Sequence, residues 1–475
     1  MNDTARHGAI PAGIDRRNFL RFGAMGLGGA ALLAACGEGN GIGGSIGASS
    51  GASSGASSGA SSGTASAPGL PAAPAVHNVA TAKKYAGTTV ATDIPGFGTE
   101  MSTTQQLAKQ FETETGIKIK TVPLPKSTSD AYAADQRLLA ANQASPDVLL
   151  VDLIYPPALA QYLLDLKDHL TEAEIALSYP NLIAVNTIDS RLVAYPWYGG
   201  FGRLYYRTDL LQKYGFPKPP ATWPELTSMA TKIQAGEQKA NKAFAGYVFQ
   251  GNAYEGLTCN ALEWVASYDG GTFIDGPTVS VDNPKAIAAL KLAQGWVGKI
   301  SPTGVTTFTE DETHSAFGAG NAAFMRNWEY AEDLQKGSNV AGKFAVAPLP
   351  AGTGPGATTA AAAGGWAVAV NKNSQNAAAA VEWLRYLTSP EAQAYRAINS
   401  ADVPAQPAVA AMPEVQAALP ALKQKVVPFA RPTQVGAQYN EASTIIFQAV
   451  NAMLRGSDVE SGVKKMAADL RELIG

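Results

Sequence analysis

Residues 102–122 read STTQQLAKQFETETGIKIKTV and residues 147–152 read DVLLVD. In the first stretch Leu107 and Phe111 lie one helical turn apart, so Ser102 to Thr115 is expected as a helix. Gly116 suits the left-handed turn that ends a helix. Ile117-Lys118-Ile119-Lys120-Thr121-Val122 then alternates apolar and polar residues, as a half-buried strand does. Asp147 to Asp152 shows no alternation. It is the short continuous apolar run of a strand covered on both faces of a parallel sheet. Thr222-Trp223-Pro224-Glu225 has the spacing of a capping box and opens a helix through Leu226, Met229 and Ile233. Ser457-Asp458-Val459-Glu460 has the same spacing ahead of the last helix. Strand–helix alternation from Tyr85 to Gly475 predicts an α/β fold, and that length suits two lobes better than one core.

The chain has 36 Lys+Arg against 39 Asp+Glu. Setting aside residues 1–36, which hold four basic and two acidic side chains, leaves 32 against 37, a net charge of −5. A mildly acidic body argues against nucleic acid or an anionic membrane surface as a partner. Only Cys36 and Cys259 are present, which leaves no thiolate metal site and, with Cys36 modified, no disulfide. The histidines (His7, His77, His169, His314) lack metal-ligand spacing, so neither a metal nor a cofactor is expected.

The amino terminus carries an export address. Asp15-Arg16-Arg17-Asn18-Phe19-Leu20-Arg21 has the paired arginines of a twin-arginine signal, followed by a weakly apolar stretch from Phe22 to Ala35. Leu33-Ala34-Ala35-Cys36 resembles a lipoprotein cleavage site, with residues 1–36 as signal peptide and Cys36 as the lipidated residue. Residues 37–75 repeat Gly-Ala-Ser-Ser and read as a disordered tether, so truncation near residue 75 is expected to cost no stability. Gly39-Asn40-Gly41-Ile42-Gly43-Gly44 and Gly51-Ala52-Ser53-Ser54-Gly55 match a dinucleotide and a hydrolase motif. Neither has the flanking strand and helix those chemistries require. The expected location is exported, lipid-anchored on the outer face of the cytoplasmic membrane or in the periplasm.

Several segments, in order, resemble the solute-binding proteins of bacterial ABC importers, in their maltose/trehalose branch. They are Phe111 to Ile119, Pro146 to Asp152, Tyr195-Pro196-Trp197-Tyr198 with Leu204 to Leu211, Ala316 to Met325 with Asn327-Trp328-Glu329-Tyr330, Gly364 to Val370, and Ala430-Arg431-Pro432. Tyr254 to Asn260 is similar to the trehalose-type members. The resemblance implies a two-lobe periplasmic-binding-protein-like α/β fold with interleaved domains joined by a hinge. Lobe 1 would take residues 76–196 and 309–363, and lobe 2 residues 197–308 and 364–475. The crossings would fall near Tyr195–Trp197 and Thr306–Thr309, with the ligand in the cleft between lobes.

A sugar presents an apolar C–H face and a rim of hydroxyls, so its site needs aromatic plates and fixed polar forks. Asp152 ends an apolar strand, Trp366 follows Gly364-Gly365, where the backbone could approach a ligand closely, and Arg431 offers a planar fork of donors. By resemblance, ligand contacts fall on Asp152, Tyr198, Trp328, Tyr330, Gly365, Trp366 and Arg431, with Glu100, Glu255, Trp197 and Tyr254 as further candidates. Bland alternatives stand beside these: Trp197, Tyr198 and Tyr254 as hinge packing, Asp152 as a helix cap, Trp328 and Trp366 as core. Related proteins often have an acidic residue where this chain has Gly200, and an aliphatic one where it has Arg203. The missing carboxylate removes a hydroxyl-pair contact, and Arg203 would meet either solvent or an anionic ligand group. Two functions remain. One is a monomeric binding protein passing a disaccharide or similar glycoside to ABC permease subunits; the other is an exported glycosidase using Asp152 and Glu255, whose carboxyls would need to flank one bond.

Overall fold

The computed structural model describes residues 70–96, 98–424 and 427–475. Arg16, Arg17, Cys36 and most of the expected tether lie outside the described residues. The main strands are β1 (Thr89–Ile94), β2 (Lys118–Pro123), β3 (Val148–Asp152), β4 (Tyr195–Phe201), β5 (Arg203–Arg207), β6 (Ala245–Val248), β7 (Ala322–Asn327), β8 (Phe344–Pro348), β9 (Ala361–Val370), β10 (Val403–Pro404) and β11 (Pro428–Phe429). They form two sheets. The first has the order β10-β4-β9-β3-β1-β2, with β11 beside β9, and the second has the order β8-β5-β7-β6.

Helix α1 (Gly98–Thr115) begins four residues earlier than expected, which puts Glu100 in its first turn instead of a loop. Leu107 and Phe111 are fully buried on its inner face. Gly116, at φ +77°, ends the helix, and β2 runs parallel to β1. β3 is buried throughout, as its apolar run requires. Its side chains alternate between cores on opposite faces: Val148 and Leu150 join Phe111 and Trp383, while Leu149 and Val151 join Tyr155 and Ala367. Asp147 stands just ahead of the strand and accepts a hydrogen bond from Ala91 N (2.8 Å), tying β3 to β1.

The sheet partners correct the expected division of the lobes. Segment 309–363, expected in lobe 1, holds β7, which pairs with β5 and β6, and β8, which pairs with β5, all in the second sheet. Segment 364–475, expected whole in lobe 2, contains most of β9, which lies between β3 and β4 in the first sheet. The crossings shift accordingly. The first falls at Gly202 between β4 and β5, the second between β8 and β9, and the third after β11. Thr306 sits in a short 3-10 turn inside the second lobe's core region, with no crossing near it. A strand's own sequence reports burial and not its partner, so residues far apart in the chain decide this point.

Two cap details also differ. Asp458, not Ser457, caps the last helix (Val459–Ile474) and accepts from Ser461 N at 2.9 Å. Thr222 caps its helix as expected, but the Glu225 carboxylate reaches back to Ala221 N instead of closing the box on Thr222.

The end of the expected tether is pinned to the first lobe. Ala73 and Val76 are buried with Phe111 and Trp383. Tyr386 and Tyr395 hydroxyls donate to the carbonyls of Pro74 (2.7 Å) and Pro71 (2.9 Å), and Val76 N donates to Glu114 (2.9 Å). The expectation that truncation near residue 75 costs nothing is therefore corrected. Deleting residues 1–69 should leave thermal stability unchanged. Deletion through residue 77 should cost about 3 kcal/mol, from one valine burial and two or three hydrogen bonds. Equal melting of the two truncated proteins would contradict this.

Candidate functional site

The carboxyl ends of β1 and β3, the middle of β9, and the loops after β2 and β7 open on one cleft of about 970 Å³, counting its mouth. Lys126, beyond β2, forms an ion pair with Asp311 of helix α2 (Glu310–Gly318), joining the lobes across that mouth. Helix α3 of the C-terminal region (Tyr439–Leu454) supplies hydroxyls from behind.

At the base of the cleft Arg431, on the third crossing, grips carboxylates from both lobes. Its Nη1 and Nη2 donate to Asp152 Oδ2 (3.0 Å) and Oδ1 (2.6 Å), and Nη1 also donates to Glu255 Oε1 (3.1 Å). Glu255 further accepts from Tyr439 (2.7 Å) and Ser443 (2.5 Å) hydroxyls. Burial pushes the Glu255 carboxyl above its usual range, against the pull of Arg431. Cys259 lies one turn further on, and burial holds its thiol well above the ordinary value, so it stays a thiol.

Two tryptophans flank this polar base. Trp366, half-buried, sits on β9 opposite both Asp152 and Tyr198 in the strand register. Trp328 follows β7. The Arg326 guanidinium lies 4.0 Å from its ring, and Arg326 is itself locked to the fully buried Glu263. The indole Nε1 donates to Glu310 (3.1 Å). A Cβ on Gly364 would come 3.1 Å from that indole, and one on Gly365 2.7 Å from the Tyr198 carbonyl. These glycines thus leave room for the Trp328 ring and the Tyr198 strand, and both also line the cleft.

At the other end Glu100 is hydrogen-bonded to Asp402 and to Tyr198. Burial raises both carboxyls, and their mutual repulsion raises Glu100 further, so the pair retains a proton more readily than separate carboxylates would. Arg396 pairs with Asp402 at 2.5 Å and stacks on Trp197 and Tyr198.

Of the residues singled out from sequence, Glu100, Asp152, Tyr198, Glu255, Trp328, Tyr330, Gly365, Trp366 and Arg431 all line the cleft. Trp197 and Tyr254 do not. Trp197 is buried beneath Arg396, with Nε1 donating to Leu387 O (3.1 Å), and Tyr254 donates its hydroxyl to Glu310. Both are supports behind the wall, which is the packing alternative. Asp152 does accept from Ile154 N (3.3 Å), but its main partner is Arg431. Arg203 is neither exposed nor set for a ligand anion: it is buried and donates to Glu329 (3.0 Å). Lys126, Glu310, Glu329 and Asp402 were missed. The capping box at Thr309–Glu312 could have pointed to Glu310, and Glu329 lies between two residues that were chosen. Among the described residues no His, Cys, Asp and Glu group could hold a metal ion, and no helix is long and apolar enough to cross a membrane.

Two sheets, three crossings and one cleft lined by aromatic rings and paired charges define a small-molecule binding protein. A family profile described as bacterial extracellular solute-binding protein matches residues 98–394, and the chain belongs to that family of exported binding proteins, which are not enzymes. It is 42% identical over 355 residues to a probable ABC transporter-binding protein of Deinococcus radiodurans, covering 73% of this chain and 84% of the relative. Among solved structures it is similar to maltose-bound MalE3 of T. maritima, with a TM-score of 0.75 and 34% identity, covering 82% of this chain and 100% of that one. An ABC transporter solute-binding protein from Thermotoga lettingae, bound with α-D-tagatose, shares the fold at a TM-score of 0.71 and 24% identity, with coverage of 82% and 100%. The expected two-lobe fold and family hold. The glycosidase alternative is corrected: Asp152 and Glu255 are both held by Arg431, and the family binds without catalysis.

Proposed function

We propose that this protein captures a neutral sugar, a disaccharide or similar glycoside, in the interlobe cleft and passes it to the permease subunits of an ABC importer. The convergence of Trp328 and Trp366 with the Asp152–Arg431–Glu255 group carries this reading. Indole faces match the C–H face of a pyranose ring, and fixed carboxylates and guanidinium match its hydroxyl rim. Maltose in the similar MalE3 structure supports the ligand class. Ligand contact is assigned to the nine cleft-lining residues, with Trp197 and Tyr254 supporting them from behind. A thermal-shift screen against mono- and disaccharides tests the reading, because a ligand of the native state raises the melting temperature. No shift with any sugar would oppose it.

The protein works as a monomer on the outer face of the cytoplasmic membrane or in the periplasm, exported by the twin-arginine route and tied by lipid on Cys36. The order of Arg16-Arg17, apolar stretch and Leu33-Ala34-Ala35-Cys36 supports this. A Cys36→Ser protein should leave the membrane fraction and still bind sugar; its retention in membranes would contradict the anchor.

A further inference from the structure

Glu329 is a buried carboxylate that the aromatic and Arg431 groups do not use. It lies between Trp328 and Tyr330 on the cleft wall and is 5% exposed. Phe201 N donates to its Oε2 at 2.8 Å and Arg203 Nε to its Oε1 at 3.0 Å. Arg203, 1% exposed, reaches it from β5 on the far side of the first crossing. Position 200 on β4 is glycine, and a Cβ there would stand 2.9 Å from Glu329 Oε2, inside normal contact. The carboxylate thus lies over a stretch of strand that offers it no side chain, facing a cleft that Gly199 and Gly200 also line.

A carboxylate is expensive to bury and needs a paired cation and satisfied lone pairs. Arg203 and the Phe201 N–H each donate to one of its oxygens and its own N–H lies near, while a carboxylate has about four acceptor positions. The open positions suit hydroxyl donors from a ligand. We propose that Glu329 is a specificity-determining residue that accepts hydrogen bonds from a hydroxyl pair of the bound sugar, with Arg203 positioning its carboxylate and Gly200 clearing the space it occupies. The proposal rests on the reading of the cleft as a sugar site. Burial raises the Glu329 carboxyl while Arg203 opposes the rise, consistent with an ion whose stability depends on that partner.

The test is calorimetric titration of the whole protein with its best sugar and with each monodeoxy analogue of that sugar. In the unaltered protein one or two analogues should bind at least tenfold more weakly than the parent. In Glu329→Gln the parent should weaken about 10- to 100-fold, the range of a charge-assisted hydrogen bond, and those analogues should no longer differ from it. Gly200→Ala, which leaves every charge in place, should weaken the parent about tenfold with the melting temperature kept. It serves as the second readout if Glu329→Gln folds poorly. An unchanged ranking of analogues in Glu329→Gln, or unchanged affinity in Gly200→Ala, overturns the proposal while the cleft remains a sugar site. Absence of any sugar binding by the unaltered protein overturns both.

Discussion

Trp366→Ala is expected to weaken sugar binding by about 100- to 1,000-fold, a few kcal/mol, and to shift the melting temperature only slightly. Trp366 is half-buried, with one face backed by the first lobe's core and the other on the cleft, so truncation removes a ligand platform more than a packing element. A fully buried tryptophan such as Trp264 or Trp383 would instead cost about 3–5 kcal/mol of stability. Trp328→Ala should behave differently. Its ring covers the Arg326–Glu263 pair, so its loss should lower both affinity and melting temperature. Titration and melting of both variants separate the roles. Affinity kept with stability lost in Trp366→Ala would make it a core residue.

Arg431→Met should have the largest effect on stability. It leaves Asp152 and Glu255 buried without their shared cation, a defect that typically costs about 3–5 kcal/mol. Glu255 keeps Tyr439 and Ser443, whereas among the described residues Asp152 keeps Ile154 N, so the loss should concentrate on Asp152. The sign of the pH dependence follows. Without Arg431 the buried Glu255 carboxyl titrates higher in the folded than in the unfolded chain, so the folded state gains by binding a proton. The defect should be full at neutral pH and shrink as pH falls into the carboxylate range. Arg431→Lys should rescue little, because a single ammonium nitrogen lacks the planar fork that meets both Asp152 oxygens from Nη1 and Nη2 while Nη1 also reaches Glu255. Denaturant melts at neutral and acid pH check this; an equal loss at both would contradict it.

The residues that decide the class were legible because local pattern carries them. Leu107 and Phe111 mark α1, the run ending at Asp152 marks a central strand, and Trp366 beside two glycines marks a site. What was not legible depends on partners far away in the chain. β7 shows burial but not that it joins β5 and β6, and so the lobe boundaries were misplaced. Trp197 and Tyr254 have the right chemistry, and only three-dimensional packing puts them one layer behind the cleft. Gly200 read as a lost carboxylate and Arg203 as a surface or ligand-facing cation. Glu329 resolves both, since its carboxylate lies against Gly200 and its charge is met by Arg203.

Calorimetric titration with disaccharides, followed by chemical recovery of the sugar, shows whether a neutral sugar is held unchanged in the cleft. One sugar per chain should bind saturably and be recovered intact, and that binding should be lost in Trp366→Ala. No saturable heat with any disaccharide, or a bound sugar recovered as cleaved products, would contradict it.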